Sequence, residues 1–375
     1  MTRLPRALGF RIVPPMSRFL GTLLLAASVV VLTGCAATTP PAPPPEERLL
    51  VVNAGENTVS EIPVEPGLGS IKVSLGPLGG GATDVAARGQ IAVVAGGASD
   101  QVVVLDLLAQ QVRRTIRLSA GSRPVAVTMI TDLIAYVANA GTNTVTRIDL
   151  ATGDTASVAV GRYPRDLLLT RGRLFVVNGN VGRCALGLCS LGPSWLTVID
   201  PQSNARAAGR DSIPLPSQGN ARSATLGGDG LIYVINTGDV ESGLAGRLSI
   251  VDPIQREEVG SFGGFGFLPT AVTSDGSERL FVASVRDGLM EFNTRTRRVV
   301  RGAGDGILGN HIVAAAVDGE GRIYAIEGGD CTASLTGRLR VFRADLTESR
   351  NIILGNCPVA ITFVQLPGLV TGATN

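Results

Sequence analysis

The side chains able to do chemistry are few in this chain. It has five cysteines (Cys35, Cys184, Cys189, Cys331 and Cys357) and one histidine, His311. Cys184 and Cys189 have a Cys-x4-Cys spacing, but with one histidine in the whole chain they do not make a zinc or haem site. Hydrolysis needs a positioned general base or a metal. The chain shows no carboxylate pair at metal spacing and no Gly-x-Ser-x-Gly nucleophile turn. Trp195 is its single tryptophan, so the tryptophan-rich repeats of quinoprotein dehydrogenases are missing too. No cofactor is expected, and no catalytic or metal-binding residue is assigned.

Cys35 stands in a different context. Residues 19–32 form an uncharged apolar run preceded by Arg3, Arg6, Arg11 and Arg18. That run is shorter than the roughly twenty residues a membrane-spanning helix needs, and it suits the core of a signal peptide. It ends in Leu32-Thr33-Gly34-Cys35, where two small residues precede the thiol. This resembles the lipobox of bacterial lipoproteins, which implies diacylation of Cys35 and cleavage just before it. Met16 is read as the true start, because Met16-Ser17-Arg18 opens a leader of ordinary length. Ala36 follows the cysteine instead of the aspartate that signals inner-membrane retention, so the periplasmic face of the outer membrane is expected in a Gram-negative host. The stretch Pro40-Pro41-Ala42-Pro43-Pro44-Pro45 is an extended spacer. The resulting division is residues 1–34 leader, 35–48 lipidated cysteine and linker, 49–367 folded domain and 368–375 tail.

Composition limits the partners. Without the four leader arginines, 29 basic residues face 31 acidic ones, and Lys72 is the only lysine. No basic run with interleaved aromatics occurs, so nucleic-acid binding has no electrostatic support. Abundant glycine (48) and proline (21) with only 4% aromatics favour many short strands joined by tight turns.

After Leu49 the chain repeats. One unit reads Pro124-Val125-Ala126-Val127-Thr128, then Ala135-Tyr136-Val137-Ala138-Asn139, then Thr144-Val145-Thr146-Arg147-Ile148-Asp149, then a fourth run from Ala156 to Val160. Each run is rich in β-branched residues and bounded by Gly, Asn, Asp or Pro, and four strands in about forty residues describe one propeller blade. The second-strand motif occurs seven times, from Val51-Val52-Asn53 to Tyr324-Ala325-Ile326. The domain starts on a second-strand motif and ends on a first-strand motif, Pro358-Val359-Ala360-Ile361-Thr362-Phe363. An all-β, seven-bladed β-propeller closed by its last strand is therefore expected, with a right-handed β-helix as the structural alternative. Asp-Gly pairs such as Asp275-Gly276 and Asp229-Gly230 read as turns, since none shows the spaced ligands of a calcium loop.

With Tyr136-Val137-Ala138-Asn139 and Tyr233-Val234-Ile235-Asn236 in view, the domain resembles the YVTN-repeat β-propeller family, which includes surface-layer-like proteins and resembles lactonase-type propellers. The resemblance rests on scaffold residues and implies fold far more than function.

The strand assignment also places the remaining cysteines. In a propeller, the loops joining strands two and three share a face with the links between blades. Cys331 falls in such a loop of the seventh blade and Cys357 in the link to the closing strand, so they can pair. Cys184 and Cys189 fall in one long loop of the fourth blade and can close a small ring. Three enlarged loops on that face, residues 179–194, 237–246 and 328–337, make it the candidate binding face. The link at 261–268 is expected to add Phe265 and Phe267, and Arg123, Arg165, Asp166, Arg222 and His311 are expected around the channel mouth. The features favour a non-catalytic binding or assembly module for an envelope protein or glycan, held at the membrane through Cys35. The alternative is a lactonase-like hydrolase or lyase at the channel mouth.

Overall fold

Seven antiparallel sheets stand in a ring, each built from one repeat. The computed structural model describes residues 45–367 except 68, 80, 186, 308, 310, 329, 330 and 332–334. The expected leader, Cys35, most of the expected linker and the expected tail lie outside the described residues. Blade three shows the plan: Pro124–Thr131, Ile134–Asn139, Thr144–Asp149 and Thr155–Ala159 pair in chain order from the channel outward. The first strands of all seven blades touch their neighbours around the axis, so the ring is closed. In blade four the outer strand is split into Ala205–Arg206 and Ser212–Leu215.

The ends meet as expected. Pro358–Leu366 is the channel-side strand of blade one and pairs with Glu46–Asn53, from Glu46 opposite Leu366 to Asn53 opposite Pro358. The first described strand starts at Glu46, three residues before position 49. Arg48 holds this extension by ion pairs to Glu46 (3.1 Å) and to fully buried Glu61 (3.0 Å). No helix among the described residues is long and apolar enough to cross a membrane.

The core follows from strand periodicity. Alternate residues of a strand point to opposite faces of its sheet, so each blade wedges apolar side chains against both neighbours. Val52 and Leu50 pack toward blade two, while Val51 and Leu49 pack toward blade seven. The buried apolar residues fall into seven clusters, each drawn from two adjacent blades. In blades one, three, four and five the asparagine that ends the second strand ties the sheet internally: Asn139 Nδ2 donates to Thr144 and Thr146, and Asn53 Nδ2 to Thr58 and Ser60. The Asp-Gly segments are turns, with Asp275 Oδ1 accepting the Ser277 and Arg279 amides.

Both disulfides form, Cys184–Cys189 and Cys331–Cys357, with Cα separations of 5.9 and 4.7 Å. The second ties a loop of blade seven to the link that enters the closing strand. By chain entropy a 26-residue ring is worth about 3.5 kcal/mol and a five-residue ring about 2 kcal/mol. Thermal unfolding is expected to show a larger fall in Tm for the Cys331→Ser/Cys357→Ser pair than for Cys184→Ser/Cys189→Ser. Equal Tm values would remove the closing role of the Cys331–Cys357 bond.

Candidate functional site

One backbone feature organises the upper face, where the blade links and the loops between second and third strands emerge. The residue just before six of the seven first strands is left-handed (Arg123, Tyr163, Asn220, Leu268, His311 and Cys357), and in blade two Gly81, three residues before Asp84, takes that conformation, with φ between 49 and 78°. A non-glycine residue there costs about 1–2 kcal/mol. The kink turns the incoming link sharply down into the channel. It also aims a carbonyl at the end of the second strand: Arg123, Tyr163, Asn220, Leu268, His311 and Cys357 each accept an amide from Ala140, Gly179, Thr237, Val285, Gly328 and Ala54 respectively. Arg123 and His311 are therefore exposed corner residues of the upper rim, and neither lines the central channel.

Immediately below the corners, pairing slips by one residue. Val125, Arg165, Arg222 and Val313 are the extra residues of β-bulges in blades three, four, five and seven. A bulge re-aims side chains, and here it turns them to the channel, a cavity of ≈ 730 Å³ whose lining includes Arg165, Asp166, Arg222 and Asp84. Three residues expected at the mouth thus come together, and Asp84 joins them. The sequence reading missed Asp84, although it occupies the first-strand column that holds Asp166, Ser223 and otherwise alanine: Ala126, Ala271, Ala314 and Ala360.

The polar members of that column bridge blades. Asp84 accepts the Val127 amide of the next blade (2.8 Å), Asp166 accepts the Ala224 amide of the next (2.8 Å), and Ser223 accepts that of Val272 (3.4 Å). Burial raises both carboxyls above the usual carboxylate range. Asp84 is pushed up to about 7, against the lowering pull of the Val127 amide and with help from the Asp166 charge. These carboxylates are occupied in holding blades together.

The arginines are not so occupied. Burial holds Arg165 below the usual guanidinium range, and the neighbouring Arg222 charge adds to this. Burial lowers Arg222 as well. Arg165 Nη1 donates to Asn220 Oδ1 at 3.3 Å, and its guanidinium lies 5.7 Å from the Tyr163 ring centre. Its stem crosses Gly179, where a Cβ would stand 2.8 Å from Arg165 Cδ, so glycine leaves the room it needs. Arg123 lies apart, in a groove with Arg162 and Arg183.

The aromatic link departs from expectation. Gly264 and Gly266, at φ 101 and 59°, bend the chain inward and drive Phe265 into the core between blades five and six, 0% exposed and 6.4 Å from the Phe292 ring. Phe265 is therefore a core residue and does not belong to the candidate face. Phe267 is half-buried under Arg286, whose guanidinium lies 5.6 Å from the ring centre.

The enlarged loops do rise from this face. Val181–Cys184 and Gly187–Ser190 form a hairpin closed by the Cys184–Cys189 bond. Cys184, Cys189 and Glu241 stand close enough to suggest a metal cluster, but the sulfurs are bonded to each other and unavailable as thiolates.

Comparison with known proteins supports the architecture. Hydrazine synthase of Kuenenia stuttgartiensis superposes with a TM-score of 0.58 and 15% identity, covering 74% of this chain and 88% of that one. At that identity the likeness shows the fold alone. No family model matches the chain, and no curated protein matches it. The chain is a seven-bladed β-propeller.

The raised carboxyl yields a pH test. Below the ordinary carboxylate range Asp84 is protonated in both folded and unfolded chains. As pH rises toward 7, only the unfolded chain releases the proton, so stability falls and stays reduced above 7. Asp166, Arg165 and Arg222 also face this cavity. Asp84→Asn keeps an acceptor for Val127 and is expected to stabilise the protein by on the order of 2 kcal/mol near pH 8. The gain should vanish near pH 3.5 in denaturant titrations, and a pH-independent difference would sink this account.

Proposed function

We propose that the chain is an exported lipoprotein, acylated at Cys35, whose propeller serves as a binding or assembly module for a protein or glycan of the cell envelope. The observation that carries this reading is the set of exposed apolar side chains on the upper-face loops of blades four, five and seven. Leu188, Leu191, Val240, Leu244 and Leu335 are 39 to 58% exposed. Exposed apolar residues gathered on loops of a rigid scaffold are how recognition surfaces are built. The arginine-lined groove beside them supplies polar specificity.

Two facts support the anchoring. With Cys184, Cys189, Cys331 and Cys357 joined in pairs, Cys35 is the one cysteine without a disulfide partner in the propeller. The described chain also enters along the strand that starts at Glu46, on the face opposite the enlarged loops.

Mass spectrometry of the mature protein from envelopes is expected to find a diacylated amino terminus at Cys35, and Cys35→Ala to release the protein from the membrane fraction. An unacylated mature terminus would remove the anchor. Replacing residues 183–190 by two glycines is expected to abolish the partners that solubilised wild-type protein captures reproducibly. Unchanged capture would place binding elsewhere.

A further inference from the structure

Arg165 and Arg222 are two cations placed side by side where the scaffold gives them nothing to neutralise. They occupy equivalent bulge positions in adjacent blades, where other blades carry Thr83, Val125, Thr270, Val313 or Val359. Neither takes part in any ion pair among the described residues. Arg222 donates to no protein acceptor among those residues. Asp84 and Asp166, the carboxylates nearest in the channel lining, are turned to backbone amides of the next blade. Partly withdrawing two like charges from water without an ion-pair partner is costly, and the bond from Arg165 to Asn220 is the one side-chain hydrogen bond to protein that the pair makes among the described residues.

The space above the pair has a defined character. The same two arginines floor a second cavity of ≈ 240 Å³ on the loop side, walled by Leu188 of the disulfide-closed hairpin, Val240 and the corner residue Leu268. Two acids also line it. Asp239 is committed to the amides of Glu241 and Ser242, and Glu241 is exposed and makes no ion pair with either arginine among the described residues. The cavity therefore combines a cationic floor with a branched-aliphatic wall.

We propose that this cavity binds a small organic acid, with its carboxylate on the guanidiniums of Arg165 and Arg222 and its aliphatic body against Leu188, Val240 and Leu268. Guanidinium forks match the two oxygens of a carboxylate, and an anion facing both would supply the ion-pair partner that neither arginine has among the described residues. This deepens the binding reading above by assigning the upper face a small-molecule site, and it rests on that face being a recognition surface.

The test uses solubilised full-length protein, calorimetry and thermal unfolding, with N-acetyl-leucine as the probe. Wild type is expected to bind N-acetyl-leucine saturably and at least about tenfold more tightly than the neutral N-acetyl-leucinamide or inorganic phosphate. Arg222→Met is expected to lower that affinity by about tenfold or more, while its Tm without probe stays unchanged or rises, because an uncompensated charge has been removed. Arg165→Met is expected to act in the same direction. Equal binding of the amide, equal binding of phosphate, undiminished affinity in Arg222→Met, or no saturable binding at millimolar probe would each overturn the proposal. So would a fall in Tm of probe-free Arg222→Met, which would make the arginine structural. Macromolecular partners retained by Arg222→Met would leave the docking reading standing while this site fails, so the two failures are separable.

Discussion

The pairing of Pro358–Leu366 with Glu46–Asn53 is the constraint on which the rest depends. A blade cannot bury its own apolar faces. It needs a neighbour on each side, and the seven clusters of the core are all shared between two blades. Without the closing strand, blade one would lose its channel-side strand, and Ala360, Val364 and Leu366 would leave the interface with blade two. A ring divided this way between the two ends of the chain joins the most distant residues in sequence, so closure comes at the largest loop-closure entropy the chain can incur. The Cys331–Cys357 bond meets this cost locally, by fixing the start of the closing strand to the blade that precedes it.

Symmetry then decides where function has room. Six non-glycine residues accept left-handed backbone at the same corner, and their carbonyls fasten the tops of the second strands. Because this layer satisfies the backbone, side chains at and below it are free to differ between blades. The column beneath is alanine in four blades and polar in three, and the polar members reach across to the next blade. Asymmetry is thus concentrated in blades two, four and five, and the arginine pair lies between the last two.

Much of this was legible because repetition multiplies a weak signal. A single Tyr-Val-Ala-Asn run says little, but seven aligned second strands fixed the blade number, the permuted ends and the shared face of Cys331 and Cys357. Position on a blade could be read; direction of a side chain could not. Arg165 and Arg222 point into the channel because of bulges that no residue type announces. Phe265 went to the core because Gly264 and Gly266 take positive φ together, whereas the glycine-rich run reads equally well as an open loop. Asp84 was recoverable in principle: setting the first strands in register shows an acid in an alanine column. That comparison needs the exact strand starts, which the short blade-two segment obscures.

The entry of the chain at Glu46 has a mechanical consequence under the proposed anchoring at Cys35. A pull between the membrane and a partner held on the upper face is delivered along a strand flanked on both sides, by Thr58–Pro63 and by Pro358–Leu366. Load applied parallel to that strand shears two antiparallel ladders at once, so many hydrogen bonds must yield together instead of opening one at a time from an edge. The Arg48 pairs to Glu46 and Glu61 sit at the loaded end. Under that anchoring, the closing strand Pro358–Leu366 would also be one of the two ladders that clamp the loaded strand.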